Sequence, residues 1–273
     1  MSDILITGAS RGIGRALALE LARRGGHRLV LVARDHARLD EVVRNCSALG
    51  CDAVAVAGDL GSRGEARALG CALAEQVQDG ATLVHNAGIW PAQRTRNSDG
   101  LETSFVVNYL GGLELQRPLL GKGLLRRVMV VSAGLIALGR FDPDRTPTGD
   151  DFSRFRTYCT TKLCFAVAMR DVASEHPNID FVVLHPGVVR TDLGAQPGWF
   201  GRLLALMKRP WESPEACARR LAVVLSRARW SAPGEAKWLM KDEERSWPRP
   251  AQDPKTQRAV RSATARYALE PDG

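Results

Sequence analysis

Tyr158 and Lys162 stand four residues apart in RTYCTTKLCFAVAM, residues 156–169, where the other side chains are mostly small or apolar. Side chains at i and i+4 lie on one face of a helix, so the phenol and the ammonium can meet over one patch of surface. An ammonium stabilises phenolate and lowers the pKa of the phenol, which suits a tyrosine to acid/base work. On the spacing alone, we favour the plainer interpretation of a lysine snorkelling past a half-buried tyrosine.

A glycine-rich turn near the N-terminus adds a second feature. The stretch ILITGASRGIG, residues 4–14, runs from an apolar segment through Gly8, Gly12 and Gly14 into a helix-like segment. Glycine permits a tight turn and the close approach of a pyrophosphate to a helix N-terminus, where free N–H groups favour anions. A glycine-rich turn alone is a weak signal, but its place after the first strand of an alternating chain indicates a dinucleotide site.

The end of the second predicted strand bears on which dinucleotide is bound. It reads LVARD, residues 31–35, with Arg34 where an acid would bind the ribose 2′-hydroxyl of NAD, and Arg11 lies in the glycine loop. An arginine at this place accommodates the 2′-phosphate of NADP. We therefore predict NADP (NADPH) as the cofactor, and interpret Asp35 as a solvated charge at the strand end.

These residues need a sheet to position them. Short runs rich in valine, isoleucine and leucine alternate with longer amphipathic stretches, a pattern typical of a parallel sheet covered on both faces. We predict strands near residues 3–7, 28–33, 53–57, 82–86, 127–132, 180–185 and 237–240. Helices are predicted near residues 12–24, 36–49, 62–78, 98–118, 153–176 and 214–227. Right-handed crossovers then give a doubly wound, Rossmann-type α/β fold with a mainly parallel sheet of about seven strands.

Composition excludes several classes of protein. The 273 residues are 45% hydrophobic and 25% charged, which is ordinary for a globular chain. The net charge of +8 is scattered rather than gathered into a basic stripe, so we expect no nucleic-acid partner. The six cysteines show no metal-ligand spacing, so we expect no metal, reduced thiols and a cytoplasmic location. No apolar run reaches the roughly 18 residues of a membrane span, so we expect no transmembrane anchor.

Several short motifs together resemble the short-chain dehydrogenases/reductases, most closely the retinol-dehydrogenase-like branch. They are TGASRGIG at 7–14, GDL at 58–60, HNAG at 85–88, VNYLG at 107–111, Ser132, YCTTK at 158–162 and HPGVVRTDL at 185–193. Their order along residues 3–193 is that of the family. His85 replaces the usual first asparagine of NNAG, at a position we expect to be structural. Members of this branch often carry an N-terminal membrane anchor, which we do not expect in this chain. We therefore do not carry the retinoid chemistry of the branch over to it.

The resemblance implies a catalytic tetrad of Asn108, Ser132, Tyr158 and Lys162. Tyr158 donates the proton, Lys162 tunes the phenol and holds the nicotinamide ribose, and Asn108 supports a water that relays protons. Ser132, at the end of the fifth strand, hydrogen-bonds the substrate oxygen, although a serine there can also merely cap the next segment. Cys159 and Cys164 are interpreted as packing residues. The implied cofactor-binding set is Gly8, Ser10, Arg11, Gly12, Ile13, Gly14, Arg34, Asp59, Leu60, Asn86, Ala87, Gly88, Tyr158, Lys162, Pro186, Gly187, Val188, Val189 and Thr191.

One dehydrogenase domain is expected over residues 1–240, with a C-terminal extension, residues 241–273, packed on the domain or trailing from it. Residues 194–212 occupy the place of the family's substrate lid, and their apolar side chains indicate a bulky, mainly apolar substrate. The same pattern suits a membrane-surface helix or a plain surface helix. By analogy with the family, helices near 98–118 and 153–176 could pair two subunits into a homodimer.

The expected function is hydride transfer between a nicotinamide cofactor and a carbonyl or alcohol of a small molecule. Two alternatives stay open at this point. One is a catalytically idle NADP-binding regulator with the same fold, because function resides in the site and not in the fold. The other is an enzyme of the same family that reduces a C=C or C=N bond with the same tetrad.

Overall fold

A computed structural model describes residues 2–190 and 211–270 of the chain. Its centre is an eight-stranded sheet in the order β3-β2-β1-β4-β5-β6-β7-β8, in which all neighbours are parallel except the antiparallel pair β7 and β8. The strands are β1 Ser2–Thr7, β2 His27–Ala33, β3 Ala53–Ala57, β4 Ala81–His85, β5 Leu125–Val131, β6 Asp180–His185, β7 Ala236–Met240 and β8 Glu243–Glu244. The predicted doubly wound α/β fold is confirmed, with one short strand more than expected.

The described helices cover both faces of this sheet. They are α1 Gly12–Arg24, α2 His36–Ala48, α3 Arg63–Ala74, α4 Thr103–Phe105, α5 Gly111–Gly121, α6 Arg154–Glu175, α7 Pro214–Leu225, α8 Arg249–Gln252 and α9 Pro254–Tyr267. One hydrophobic layer joins the sheet to α3, α5 and α6, and the other joins it to α1, α2 and α7. None of the helices in the described ranges is both long enough and apolar enough to cross a bilayer.

The helix predicted near residues 98–118 begins later than expected. The Asn97 side chain accepts hydrogen bonds from the backbone N–H groups of Asp99 and Leu101, each at 3.0 Å, and so stabilises a turn in place of the first helical turn. Helical structure starts at Thr103, where the Glu102 carboxylate accepts from the Phe105 N–H at 2.8 Å and caps the helix. A π-helical turn, Val106–Leu110, then separates α4 from α5 and carries Asn108.

The C-terminal segment packs against the face formed by α6 and the π-helical turn. In α9, Arg261 pairs with Asp171 of α6, and the backbone carbonyl of Val260 accepts from the Tyr109 hydroxyl at 3.3 Å. At the last residue of α9, the Tyr267 carbonyl accepts from Arg63 of α3 at 2.7 Å. The chain itself thereby covers part of the α6 face that was expected to be available to a second subunit.

Candidate active site

A cleft of about 1400 Å³ opens at the carboxyl ends of the central strands. It lies where the strand order reverses between β1 and β4, which is where open α/β sheets bind ligands. Most of the predicted site residues line it, namely Gly8, Ser10, Arg11, Gly12, Ile13, Arg34, Asp59, Leu60, Asn86, Ala87, Gly88, Ser132, Tyr158, Lys162, Pro186, Gly187, Val188 and Val189. Gly14 and Asn108 lie behind this lining, and Thr191 and most of the predicted lid fall outside the described residues.

The glycine loop is held against the end of β4 and has no room for a side chain at Gly8 or Gly14. A Cβ added at Gly14 would lie 2.4 Å from the Gly8 carbonyl oxygen, and one added at Gly8, whose φ is +68°, would lie 2.9 Å from Ala87 Cα. The Asn86 amide donates to the carbonyls of Thr7 and Gly8 at 3.0 and 3.2 Å. The loop is thus clamped in a shape that leaves its outer surface open to a ligand.

The start of α1 offers backbone donors to that ligand. Gly12 adopts a φ of +55° and opens the helix, and Arg11 at the N-cap position makes no side-chain capping bond. Ser10 and Ile13 line the cleft on either side of this helix start. Uncapped N–H groups and the positive end of the helix dipole suit a pyrophosphate.

A group of basic side chains lies at the end of β2. Arg34 is 60% exposed and pairs weakly with Asp59, with an N–O distance of 3.7 Å. Asp35 is an exposed charge at the strand end, as we interpreted it. Its carboxylate also caps α2 by accepting from the Arg38 N–H at 3.1 Å, and it pairs with the Arg38 guanidinium at 3.2 Å. Arg38 also lines the cleft and was missed, because from sequence alone its side chain reads only as one charge on a solvated helix face.

Tyr158 and Lys162 both lie buried on the cleft side of α6, with exposures of 7% and 5%. Lys162 Nζ donates to the backbone carbonyl of Val131 at 3.1 Å, and burial lowers the pKa of Lys162 to about 8. Burial raises the pKa of Tyr158 to about 12. We expected a lowered pKa for Tyr158, and the structure instead indicates a raised one, because loss of hydration penalises the phenolate.

Asn108 connects the cleft wall to α6. Its Oδ1 accepts from the Ile89 N–H at 2.7 Å, while its Nδ2 donates to the Ile89 carbonyl at 3.0 Å and to Thr161 Oγ1 at 3.1 Å. A Cβ added at Gly88 would lie 3.1 Å from Lys162 Nζ and 3.2 Å from Asn108 Oδ1. The side chain thus sits beside the lysine, and the hydrogen bonds that it makes are those of a positioning residue.

Ser132 follows directly after β5 and is 5% exposed. Its backbone N–H donates to the Leu184 carbonyl at 2.7 Å, which continues the pairing between β5 and β6. Its buried Oγ has no hydrogen-bond partner among the described residues. Buried hydroxyls are nearly always paired in folded proteins, so this atom indicates a place for a ligand oxygen.

His85, which replaces the first asparagine of the family motif, lies outside the cleft lining. It is 3% exposed, its Nε2 lies 3.0 Å from Gln116 Oε1, and its ring packs edge-on against Phe165 at 5.1 Å. Burial lowers the pKa of His85 to about 4, so the ring is neutral at physiological pH. These contacts are those of a core histidine, as we expected.

The segment after β6 is fixed by a half-buried ion pair that the sequence analysis did not identify. Arg220 of α7 bonds both carboxylate oxygens of Glu212 at 2.6 Å and also the Pro186 carbonyl. The Glu212 N–H in turn donates to the Val188 carbonyl at 3.1 Å. Val188 keeps a side chain that is 55% exposed at the cleft mouth.

An apolar and aromatic wall forms the other end of the cleft. The indole of Trp90 stacks on the Tyr158 ring, and Phe155 lies next to the indole with ring centroids 6.2 Å apart. Leu135 and Met240 contribute further apolar side chains to the lining of the cleft. The wall was missed because these residues come from four separate segments; the one sequence signal was a tryptophan directly after HNAGI.

Comparison with known proteins agrees with this architecture. A family model described as short chain dehydrogenase matches residues 2–129. The chain is 34% identical to Retinol dehydrogenase 14 of Mus musculus over 210 residues, which are 70% of this chain and 62% of the mouse protein. It is 36% identical over 194 residues to "Putative daunorubicin C-13 ketoreductase DnrU" of Streptomyces sp. (strain C5), covering 70% of this chain and 67% of that protein.

Among solved structures, the fold is similar to an alcohol dehydrogenase from the archaeon Thermococcus sibiricus complexed with 5-hydroxy-NADP. The TM-score is 0.66 at 25% identity, over 90% of this chain and all of the archaeal chain. The match spans less than two thirds of the length of the mouse protein. The chain belongs to the short-chain dehydrogenase/reductase family, in its retinol-dehydrogenase-like branch.

Proposed function

We propose that the protein is an NADP-dependent oxidoreductase that transfers a hydride between nicotinamide and a carbonyl or alcohol of a bulky, mainly apolar molecule. The observation that carries the proposal is the unpartnered Oγ of Ser132, which is buried in the same cleft as the phenol of Tyr158 and the ammonium of Lys162. A carbonyl oxygen is the acceptor that such a hydroxyl lacks.

The cleft fits a dinucleotide. The crowded backbone at Gly8 and Gly14 and the uncapped start of α1 would receive the pyrophosphate. Arg34, with Arg11 and Arg38, would hold the 2′-phosphate, because arginine pairs with phosphate through charge-assisted hydrogen bonds. Asp35 is occupied as the cap of α2, so it competes little for a ribose hydroxyl.

A bound reduced nicotinamide supplies the hydride that adds to the carbonyl carbon. The carbonyl oxygen then gains negative charge and takes a proton, so C=O becomes CH–OH. Tyr158 donates that proton, since a phenol whose pKa is raised by burial is fully protonated at neutral pH. Ser132 Oγ would donate a hydrogen bond to the same oxygen, and Lys162 would hold the nucleotide ribose.

The shape and chemistry of the cleft support a large apolar substrate. The cleft lining includes the apolar side chains of Trp90, Leu135, Phe155 and Met240, and Phe155 is 45% exposed. Such walls hold ligands through apolar and aromatic contact, while a few polar groups fix their orientation. The names of the two relatives, a retinol dehydrogenase and a daunorubicin ketoreductase, point to bulky molecules of this kind.

The predicted homodimer stays a proposal and has to accommodate the C-terminal segment. Helix α9 occupies part of the α6 face through Arg261 and Val260. A dimer through α5 and α6 would have to use the part of that face that α9 leaves open. We also retain the cytoplasmic location, which the six free thiols support, five of them buried.

Carbonyl-dependent oxidation of NADPH tests the proposed function. The purified protein is given NADPH or NADH with a panel of ketones, aldehydes, quinones, enones and imines. We expect NADPH to be consumed with bulky ketones or aldehydes, and NADH to be a poorer donor. Consumption with enones or imines alone would assign the protein to C=C or C=N reduction. Tight NADPH binding with no turnover of any compound would favour the idle regulator.

A further inference from the structure

A second polar atom in the cleft is left without a partner. His185 Nδ1, like Ser132 Oγ, is buried and makes no hydrogen bond to any of the described residues. His185 ends β6 and lines the cleft, yet neither the family resemblance nor the proposed chemistry gives its ring a role. Two such atoms in one cavity call for a common explanation, because an unpaired buried polar group costs stability.

The two residues are neighbours in the sheet. Val131 of β5 pairs with Leu184 of β6, so Ser132 and His185 are the next positions on adjacent parallel strands. Side chains alternate along a strand, so both project to the same side of the sheet as Val130 and Val183, whose layer contains α6. Adjacent strands lie about 4.8 Å apart. The hydroxyl and the imidazole therefore face the reacting centre side by side, but they do not pair with each other.

The imidazole is also held in place. A Cβ added at Gly134 would lie 3.2 Å from His185 Cδ2 and 3.4 Å from Nε2, so the ring lies flat against the glycine backbone. The His185 carbonyl accepts from the Lys241 N–H at 2.7 Å. Burial, with the charges of Lys241 and Arg220, lowers the pKa of His185. The neutral ring offers one N–H donor and one acceptor nitrogen to a ligand.

We propose that Ser132 and His185 form a two-point site for a substrate with oxygens on two neighbouring carbons. Ser132 bonds the carbonyl oxygen that is reduced, and His185 bonds a hydroxyl or second carbonyl oxygen on the adjacent carbon. This inference rests on the proposed function and narrows it to α-hydroxy ketones and 1,2-dicarbonyl compounds. The small strand separation carries the assignment, because the paired groups can reach adjacent oxygens but not oxygens at opposite ends of a large molecule.

The test compares acetophenone with 2-hydroxyacetophenone, which differs by one hydroxyl on the neighbouring carbon. We expect the wild type to prefer the hydroxy ketone by about tenfold in kcat/KM, as one added hydrogen bond predicts. His185→Leu should abolish that preference, while acetophenone reduction and NADPH affinity stay within twofold. His185→Gln, which keeps a donor and an acceptor, should restore part of the preference. His176→Phe, at the far end of α6, is the control and should retain it.

Other results would overturn the inference. The inference is contradicted if the wild type has equal kcat/KM for the two ketones, or if His185→Leu lowers kcat/KM equally for both. Either result would be compatible with an oxidoreductase that lacks this site. A fall in NADPH affinity in His185→Leu would assign the ring to the nucleotide instead.

If no carbonyl is reduced at all, the proposed function fails separately from this inference. Quenching of tryptophan fluorescence in the NADP-loaded protein then still compares the affinities of the protein for the two ketones. Equal binding, or none, contradicts the site. Should His185→Leu not fold, His185→Ala provides the same comparison.

Discussion

The indole of Trp90 lies almost parallel to the phenol of Tyr158, with ring centroids 4.7 Å apart and an interplanar angle of 14°. Trp90 Nε1 donates to the backbone carbonyl of Arg154 at 2.8 Å. Arg154 is the first residue of α6, the helix that also carries Tyr158, so the indole is fixed relative to the phenol. Trp90 thus orients the proposed proton donor and contributes to burying it.

We predict that Trp90→Leu lowers kcat for carbonyl reduction by about tenfold, because the loss of an aromatic stack frees the phenol ring. Trp90→Phe keeps an aromatic face and should retain most of the rate. Trp230→Leu is a matched control, since Trp230 also donates its indole N–H to a backbone carbonyl but lies outside the cleft. Steady-state kinetics with one ketone measures all three. Full turnover by Trp90→Leu would show that the stack has no part in positioning the phenol.

The nucleotide preference depends on Arg34. We predict that Arg34→Ala raises the dissociation constant of NADPH by about ten- to a hundredfold, as expected for a charged hydrogen bond to phosphate. The affinity for NADH should change less than threefold. Arg23→Ala, on the outer face of α1, removes an equal charge outside the cleft and serves as the control. Fluorescence titration gives both constants, and a parallel loss of the two nucleotides would exclude a selective phosphate contact.

Asn108 should matter for stability as well as for turnover. Its three hydrogen bonds join the Ile89 backbone to Thr161 of α6 in the interior. We predict that Asn108→Ala lowers the free energy of unfolding by about 3 kcal/mol, because it leaves buried backbone groups unpaired. Thr161→Val should cost clearly less. Urea unfolding measures both changes, and equal stability of Asn108→Ala and the wild type would refute the positioning role.

Lys162 gives a prediction for stability against pH. Its pKa is lowered from 10.5 to about 8 in the folded protein. Between these values the unfolded chain binds more protons than the folded one, so stability rises with pH. Wild type should therefore gain about 2 kcal/mol relative to Lys162→Met between about pH 6.5 and 9.5. Urea unfolding at both pH values checks the difference. If the unfolding free energies of wild type and Lys162→Met changed in parallel with pH, burial would not destabilise the charged form of Lys162.

The strands were predictable because each appears in the sequence as a short, mainly apolar run. Parallel strands that are buried on both faces of a sheet typically have this pattern. Their observed ends lie within two residues of the predicted ones. The start of the helix near residue 98 was not predictable from apolar spacing, because the Asn97 side chain competes with the helix for the local backbone. The covering of α6 by α9 depends on a tertiary contact between distant segments.

The part of the site that lies in the family motifs was predictable from the order of those motifs along the chain. The glycine loop, Ser132, Tyr158 and Lys162 meet in one cleft, as the resemblance implied. The direction of the Tyr158 pKa shift was not predictable from the sequence. It follows from the burial of the phenol, against which Trp90 stacks, and not from the spacing to Lys162. The side-by-side placement of Ser132 and His185 was also not predictable, because it depends on the register between β5 and β6.

The central claim is that Tyr158 donates the proton during hydride transfer from NADPH. The most direct test is single-turnover reduction, under excess enzyme, of the ketone that the wild type reduces fastest. We predict that Tyr158→Phe lowers this rate constant by at least about a hundredfold and leaves the NADPH dissociation constant within twofold. Tyr109→Phe, which removes a buried hydroxyl outside the cleft, is the control and should react normally. An undiminished rate constant in Tyr158→Phe would contradict the account.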